Sequence, residues 1–588
     1  MSLTPRGMSI QEAYRLYRDN SFIVNRKYQR KLVWTVEEKQ FLIDSVLKGL
    51  PIPLILLAQI GDKKFEIVDG LQRLNAMFSF IENGFAFNDK YFDVNQFARA
   101  KQIAEAGEFS FETDPEKLLD PKNCANLLDY QLAVTTYAAD DESIVTEIFG
   151  RINSSGKQLS YQERRQAGST DDFASIVREI SSEIRGDSSG DIVLLKDMPA
   201  ISIDSKREKI GYGLSADDIF WCKQGVIWKT HLRDSEDEEI IADIVASIVF
   251  GQPIPKSREY LDDLYSSEEE LHKEVVLQLN KYGKERIKHE IKVTFSVIRD
   301  ILEKSNPVQR LNKIVNPGNA NAIKASFYSI FMAFYHLVVK EEKSPDNYDK
   351  ILEAVAGLQK QMISTAHYST TDDRIKNIDK TTGLIQRYFV KKEPALLKHG
   401  AGLAIDFENS IRRSKIETNR YECKQGFVDL SAQRQIDNNL QNVIIETICG
   451  IANLGPHSEG YIFIGVADKK ADKDRIEALD GIVAQNINTR YVVGIDRELK
   501  FFGNKEDNYI NFLLGNIQKS KLSEPLKTQM LSQVDVVDYN GLTVIRLKIP
   551  SQKELSFVDK DCFYRENSQT IKVEGQRLIS LYELFRNK

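Results

Sequence analysis

The chain has 588 residues, more than one hydrophobic core serves, because single cores stop growing near ~250–300 residues and longer chains divide into domains. Hydrophobic residues at 42% and charged residues at 28% exclude a disordered, collagen-like or low-complexity polymer. With 80 basic against 86 acidic residues, a formal net charge of −6, the whole chain has no attraction for nucleic acid or an anionic membrane. Any such contact must come from a local patch.

Thr35-Val-Glu-Glu38 is a capping box that opens a predicted helix over residues 36–48, with Leu42, Ile43, Val46 and Leu47 at helical spacing before Gly49 and Pro51. Residues 53–60 and 64–68 are β-rich runs around Gly61-Asp-Lys63, which predicts a hairpin. Asp69-Gly70 ends the second strand, and residues 72–83 carry Leu74, Met77, Phe78 and Ile81 on one helical face. A strand at 130–138, a helix at 143–152, a loop at 153–156 and a second capping box, Ser160-Tyr-Gln-Glu163, follow.

From about residue 168 to 398 amphipathic helical patterns dominate, among them 286–303 and 322–341. The acidic runs 234–239 and 268–270 read as solvated faces, and Gly400-Ala-Gly402 as a joint. Beyond it the mixed pattern returns. Residues 436–451 trace a buried helical stripe, 460–466 a near-continuous apolar strand buried on both faces, and 534–537 with 542–549 flank the hairpin signal Asn540-Gly541. The expected fold class is α/β (α+β), with an α/β domain over 1–168, an all-helical connector over 169–400 and a second α/β domain over 401–588.

Cys124, Cys222, Cys423, Cys449 and Cys562 are scattered, with no C-x-x-C pair or neighbouring His at metal-ligand spacing, so reduced thiols are expected. The first residues lack a signal-peptide pattern and no run approaches the ~18 apolar residues of a membrane span. A cytoplasmic location and no membrane partner are expected.

Two constellations carry chemistry. In Ile67-Val-Asp-Gly-Leu-Gln-Arg73 a carboxylate, a glycine, an amide and a guanidinium meet where a strand enters a helix. Free N–H groups and the dipole at a helix start favour phosphate, Gly70 allows close backbone approach, and Arg73 can bind an oxyanion bidentately. The alternative is that Asp69 caps the helix and pairs with Arg73. Residues 150–157 are not a P-loop, since the glycine spacing is one residue too long and Gln158 stands where a Mg²⁺-binding hydroxyl is required.

Together with Lys27-Tyr-Gln-Arg30, Trp34, Ile148-Phe-Gly-Arg-Ile-Asn-Ser-Ser-Gly156 and Glu163-Arg164, this segment resembles the GmrSD-type N-terminal domain of the ParB/sulfiredoxin-like superfamily, found in modification-dependent restriction and phage-defence proteins. The resemblance implies an NTP-binding and hydrolysing or DNA-sensing module. Asp69, Gly70, Gln72 and Arg73 match its signature, with Asp69 and Arg73 in catalytic roles, and Gln29, Arg30, Arg151 and Asn153 are expected to line the same nucleotide site. Leu71 stands where the family usually has a second glutamine.

The second constellation is Glu417-Thr-Asn-Arg-Tyr-Glu-Cys-Lys424, with Asp468 after the buried strand. If that strand pairs beside 421–424, Glu417, Glu422 and Asp468 converge near Lys424. A divalent cation would then neutralise the acids and activate water against a phosphodiester. The alternative is a Glu422–Lys424 salt bridge with solvated acids around it. Glu422-x-Lys424, Ile451-Ala-Asn453, residues 462–468, Asp480-Gly481 and Phe563-Tyr-Arg-Glu-Asn567 resemble the Schlafen AlbA-type domain. What this implies is nucleic-acid binding, with Glu417, Glu422 and Asp468 matching the metal-binding acids of Schlafen RNases. Arg412, Arg413, Lys415, Arg420, Lys424, Arg434 and Arg565 are the cations available to a phosphate backbone, and Tyr421 and Tyr564 the rings available to bases.

The expected protein is a bacterial phage-defence or restriction-type chain. A nucleotide-responsive first domain controls a last domain that binds, and through Mg²⁺ or Mn²⁺ cleaves, DNA or RNA. The alternative is a non-catalytic DNA-binding regulator. A homo-oligomer is left open.

Overall fold

The computed structural model describes residues 3–27, 29, 31–61, 63–138, 160–166, 169, 171–203, 213–363, 369–391, 403–414, 419–456, 458–487, 489–539, 541–566 and 568–586, with side chains of 403–405 and 438 left aside. It is mixed α/β, 51% helical and 19% strand. Two compact units divide the chain, residues 1–402 and 403–588.

The first unit is built on a six-stranded mixed sheet of β1 (Leu3–Ser9), β2 (Phe22–Asn25), β3 (Ile55–Gly61), β4 (Lys64–Asp69), β5 (Gln131–Ala138) and β6 (Ile192–Leu194), in the order β1-β5-β3-β4-β2-β6. The expected hairpin is β3–β4, paired antiparallel. Its apolar face is covered by α1 (Ile10–Arg18), α2 (Val36–Leu47) and α3 (Leu71–Ile81), where Ile43, Met77 and Phe78 are buried. The α2 capping box forms as read: Thr35 Oγ1 accepts from the Glu38 amide at 3.1 Å, and Glu38 accepts from the Thr35 amide at 3.0 Å.

β6 and the core residues Leu195 and Met198 bring the sheet's packing to about residue 200, past the boundary expected at 168. The remainder is mainly helical, with α4 (Asp172–Arg185), α5 (Glu236–Phe250), α6 (Lys284–Lys304), α7 (Lys324–Tyr335) and α8 (Thr371–Ile385). It also carries short strand pairs, Ala200–Ser202 with Gly213–Ser215 and Lys343–Pro345 with Phe389–Lys391, too short to register as apolar alternation. The expected helix at 143–152, its loop and the joint at 400–402 lie outside the described residues.

The acidic run 234–239 is not simply a solvated face. Asp237 is 0% and Glu238 8% exposed in the first turn of α5. They survive burial because Arg185 and Lys31 meet them, in a network that Arg26 extends to Asp187. Arg185 donates to Asp237 at 2.5 Å, to Glu238 at 3.1 Å and to Asp187 at 3.0 Å; Lys31 reaches Glu238 at 3.2 Å and Arg26 reaches Asp187 at 3.0 Å. The positive end of the α5 dipole acts in the same direction. Three cations face three carboxylates, joining β2 and the segment after it to α4 and α5.

The second unit has a four-stranded sheet of β7 (Tyr421–Lys424), β8 (Gly460–Ile464), β9 (Val534–Tyr539) and β10 (Leu542–Ile549), in the order β7-β8-β10-β9. β8 lies centrally, with Ile462, Phe463 and Ile464 at 0% exposure, as its apolar run implies. It stops at Gly465, whose φ of +102° breaks the strand before Val466–Ala467 joins a separate three-stranded sheet. The helix α9 (Asn438–Ala452) packs on the sheet through Ile444, Ile448 and Ile451.

Asn453, directly after α9, shows why the Ala-Asn pair sits there. Its amide donates to the carbonyls of Ser556 at 2.9 Å and Phe563 at 2.8 Å, and its oxygen accepts from the Ser556 amide at 2.8 Å. An Asn453→Ala variant takes these bonds from the Ser556 amide and the Phe563 carbonyl, at ~1–3 kcal/mol for each buried group left unsatisfied, while the Ser556 carbonyl keeps the Cys449 thiol at 3.2 Å. The variant's urea midpoint is expected to fall by the equivalent of about 2–3 kcal/mol.

All five cysteines are free and buried. No helix among the described residues is long and apolar enough to cross a membrane.

Candidate functional site

In the first unit β4 delivers Asp69 to the start of α3 through Gly70, whose φ is +101°. A Cβ there would meet Ile55 Cδ1 at 2.4 Å, so glycine is required by conformation and by space together. Asp69 accepts from the Gly70 amide at 2.7 Å and pairs with Arg73 at 2.8 Å, while Arg73 also donates to the Leu54 carbonyl at 3.0 Å. The alternative pairing is therefore the arrangement present, although both side chains keep some exposure, 32% for Asp69 and 15% for Arg73.

The two glutamines expected beside them are turned to the backbone. Gln29 donates to the carbonyls of Ile67 at 2.7 Å and Val68 at 3.0 Å. Gln72 donates to the Lys31 carbonyl at 2.6 Å and accepts from the amides of Val33 and Trp34, each at 3.3 Å. These bonds hold Gln29 and residues 31–34 against the β4–α3 turn. Arg30, Arg151 and Asn153 lie outside the described residues.

A cavity of about 130 Å³ opens beside this segment, bordered by Arg26, Lys27, Gln29, Glu163, Arg178 and Glu238 among others. It brings Lys27 and Gln29 to Glu163, residues of separate motifs more than 130 positions apart. Arg178 donates to Gln166 Oε1 at 2.7 Å, the Ser169 carbonyl at 3.0 Å and Ser175 Oγ at 3.1 Å. Among the described residues no carboxylate is in ion-pair contact with it. Burial holds the pKa of its guanidinium below the usual arginine range, with Glu238 opposing. Arg178 carried no motif signal and was legible only once α4 was in place.

In the second unit β7 pairs parallel with β8, Glu422 opposite Ile462 and Lys424 opposite Ile464, which is the juxtaposition the acid cluster needs. Glu422 pairs with Lys424 at 2.7 Å and with Arg565 at 2.8 Å. Asp468, 43% exposed, faces Arg490 at 3.6 Å. Partial desolvation and then the Glu422 charge hold the Asp468 carboxyl above its ordinary range, against Arg490 and Lys424. Two of the three expected acids therefore share one electrostatic field, interleaved with Lys424 and Arg490.

Glu417 and Lys415 lie outside the described residues. Among the described residues no group of three metal-ligating side chains lies together.

The expected phosphate-binding cations are mostly engaged within the fold. Arg412 pairs with Glu408, Arg413 reaches Ser410, and Arg434 pairs with Asp480 at 2.8 Å. Arg565 is 2% exposed and donates to Glu422, to the Tyr421 carbonyl and to Thr570. Its role is to position Glu422; it does not meet a backbone phosphate. Arg420, in the turn before β7, is half-buried. Tyr421 is packed against Tyr461 and Phe463, with ring centroids 5.7 and 6.3 Å away, so it is core and offers no face to a base. Arg490 was missed, since it belongs to a strand whose pairing with Val466–Ala467 alone brings it to Asp468.

Asp480 is likewise structural. Burial works against its charge, but bonds from Arg434 and Arg497 hold the carboxyl below its ordinary range.

Residues 10–168 match the family described as GmrSD restriction endonuclease, N-terminal domain, and residues 417–574 match the family described as Schlafen, AlbA_2. The chain thus joins a GmrSD N-terminal domain to a Schlafen AlbA_2 domain, the fusion its motifs indicated. No curated protein and no solved structure matches it.

Proposed function

We propose that this is a phage-defence protein of restriction type, in which the first unit binds and turns over a nucleoside triphosphate and the second binds and cuts nucleic acid. The observation that supports the cleavage reading is the parallel pairing of β7 with β8, which sets Glu422 on the strand beside the one that leads to Asp468, with Lys424 paired to the first acid and Arg490 facing the second. The cofactor this reading requires is Mg²⁺ or Mn²⁺, which Glu422 and Asp468, with Glu417, would hold. The metal would supply an activated water, while Lys424 and Arg490 stand where a phosphodiester's charge would need a partner.

For the first unit, the cavity bordered by Lys27, Gln29 and Arg178 supports a phosphate-bearing ligand, with Asp69 and Arg73 available at the adjoining turn. Incubation of the full chain with labelled DNA and RNA, with and without Mn²⁺ or Mg²⁺, tests the cleavage reading. Metal-dependent product is expected.

A second reading, a regulator that binds without cutting, is favoured by one observation. Glu422 is already compensated by Lys424 and Arg565, so the fold does not need a metal to hold its charge. Salt-sensitive retention of DNA with no product and no phosphate release would select it.

A further inference from the structure

In the mainly helical part of the first unit a pocket of about 60 Å³ lies between α5, α7, α8 and the loop before residue 257, and shares no residue with the β4–α3 turn. Its charges are Lys256, Lys324 and Arg374 against Glu239 and Asp243, an excess of one cation. The carboxylates are already taken. Glu239 accepts from Lys324 at 2.6 Å through one oxygen and from Arg165 at 3.2 Å through the other. Asp243 is held by Arg374 through both oxygens, at 2.9 and 2.6 Å.

Arg374 is fixed further by the Ile254 carbonyl and by lying 3.6 Å from the Tyr328 ring centroid. Among the described residues Lys256 has no ion-pair partner, while its amide is pinned to the Ser369 carbonyl at 2.9 Å. An ammonium in a partly desolvated pocket beside two other cations is costly unless an anion joins it. Its pKa is accordingly held below the usual lysine range, by burial first and then by Lys324 and Arg374.

We propose that this pocket is a binding site for a small oxyanion, a phosphate or a short carboxylate, whose charged head meets Lys256. A water occupies ~10–15 Å³ of such space, so the pocket takes a group of about four or five heavy atoms. Ile254 and Leu261 in the lining suit the methyl or methylene of a carboxylate, and inorganic phosphate fits by charge alone.

The test uses the full chain with inorganic phosphate or acetate against chloride at equal ionic strength. Two readouts apply: the melting temperature, and amine labelling of Lys256 followed by mass spectrometry. Saturable stabilisation by either anion is expected in the wild type and absent in Lys256→Met. Labelling of Lys256 is expected to slow about fivefold at four times Kd, where ~80% of sites are filled. A response to phosphate alone or acetate alone identifies the head group. Equal stabilisation in wild type and Lys256→Met, or labelling unaffected by both anions, overturns the proposal. The labelling needs no variant, so it holds even if Lys256→Met does not fold.

Discussion

Replacing Arg185 by Met is expected to destabilise the first unit by about 3–5 kcal/mol, the range for removing one partner of a buried ion pair. The side-chain volume is nearly kept, so the effect is electrostatic. Asp187, Asp237 and Glu238 all lose the same guanidinium, and side-chain exposures of 2%, 0% and 10% leave little water to replace it. Lys31 and Arg26 remain, two cations for three carboxylates.

The same network sets an acid limit. Asp187 and Glu238 are held below their ordinary ranges, because Arg185 with Arg26, and Lys31 with Arg185, outweigh the burial that acts first against their charges. Depressed carboxylates contribute stability that is present above the unfolded value, ~4, and is lost as pH falls through the folded one. The Arg185→Met penalty should therefore be full at pH 7 and shrink below about pH 4, which parallel urea titrations at the two pH values measure.

Asp468→Asn is expected to lower nucleic-acid cleavage by about 100-fold or more, the scale of removing a group that acts on the reacting atoms, with little change in stability. Among the described residues its one ion pair, to Arg490, is at the surface, and such pairs contribute ~0–1 kcal/mol. Glu422→Ala is less clean. Arg565 is 2% exposed and donates to Glu422, so that variant strands a buried guanidinium and loses stability as well as activity. Comparing turnover with the folded fraction separates the two effects, and binding of the uncut strand by Asp468→Asn distinguishes lost chemistry from lost affinity.

Local signals were legible where they were self-sufficient. The Thr35–Glu38 capping box, the β3–β4 hairpin and the apolar run of β8 each carry their own chemistry in consecutive residues. β1 does not. Leu3–Ser9 contains Pro5 and Gly7 and is a strand through its antiparallel register with β5, from Leu3 opposite Tyr137 to Ser9 opposite Gln131. The acidic run at 234–239 misled for a related reason, since Arg185 lies some fifty residues earlier and Lys31 some two hundred.

At the candidate sites the residue types were readable but their partners were not. Gln29, Gln72, Asn453, Asp480 and Arg565 were singled out as motif residues, and each is spent on holding strands, turns or another side chain in place. Motif spacing registers such positioning groups as strongly as groups that touch a ligand. Arg178 and Arg490 carried no spacing signal, because only tertiary packing brings them to the cavity and to Asp468.

We propose further that nucleotide at the first unit governs nucleic-acid cleavage at the second. It is tested most directly by single-turnover cleavage of a labelled strand in Mn²⁺, with and without each nucleoside triphosphate, for the wild type and for Arg73→Ala. The expected result is a rate that one triphosphate changes in the wild type and leaves unchanged in Arg73→Ala. Cleavage at the same rate with every triphosphate and with none, from protein that binds nucleotide, would contradict it.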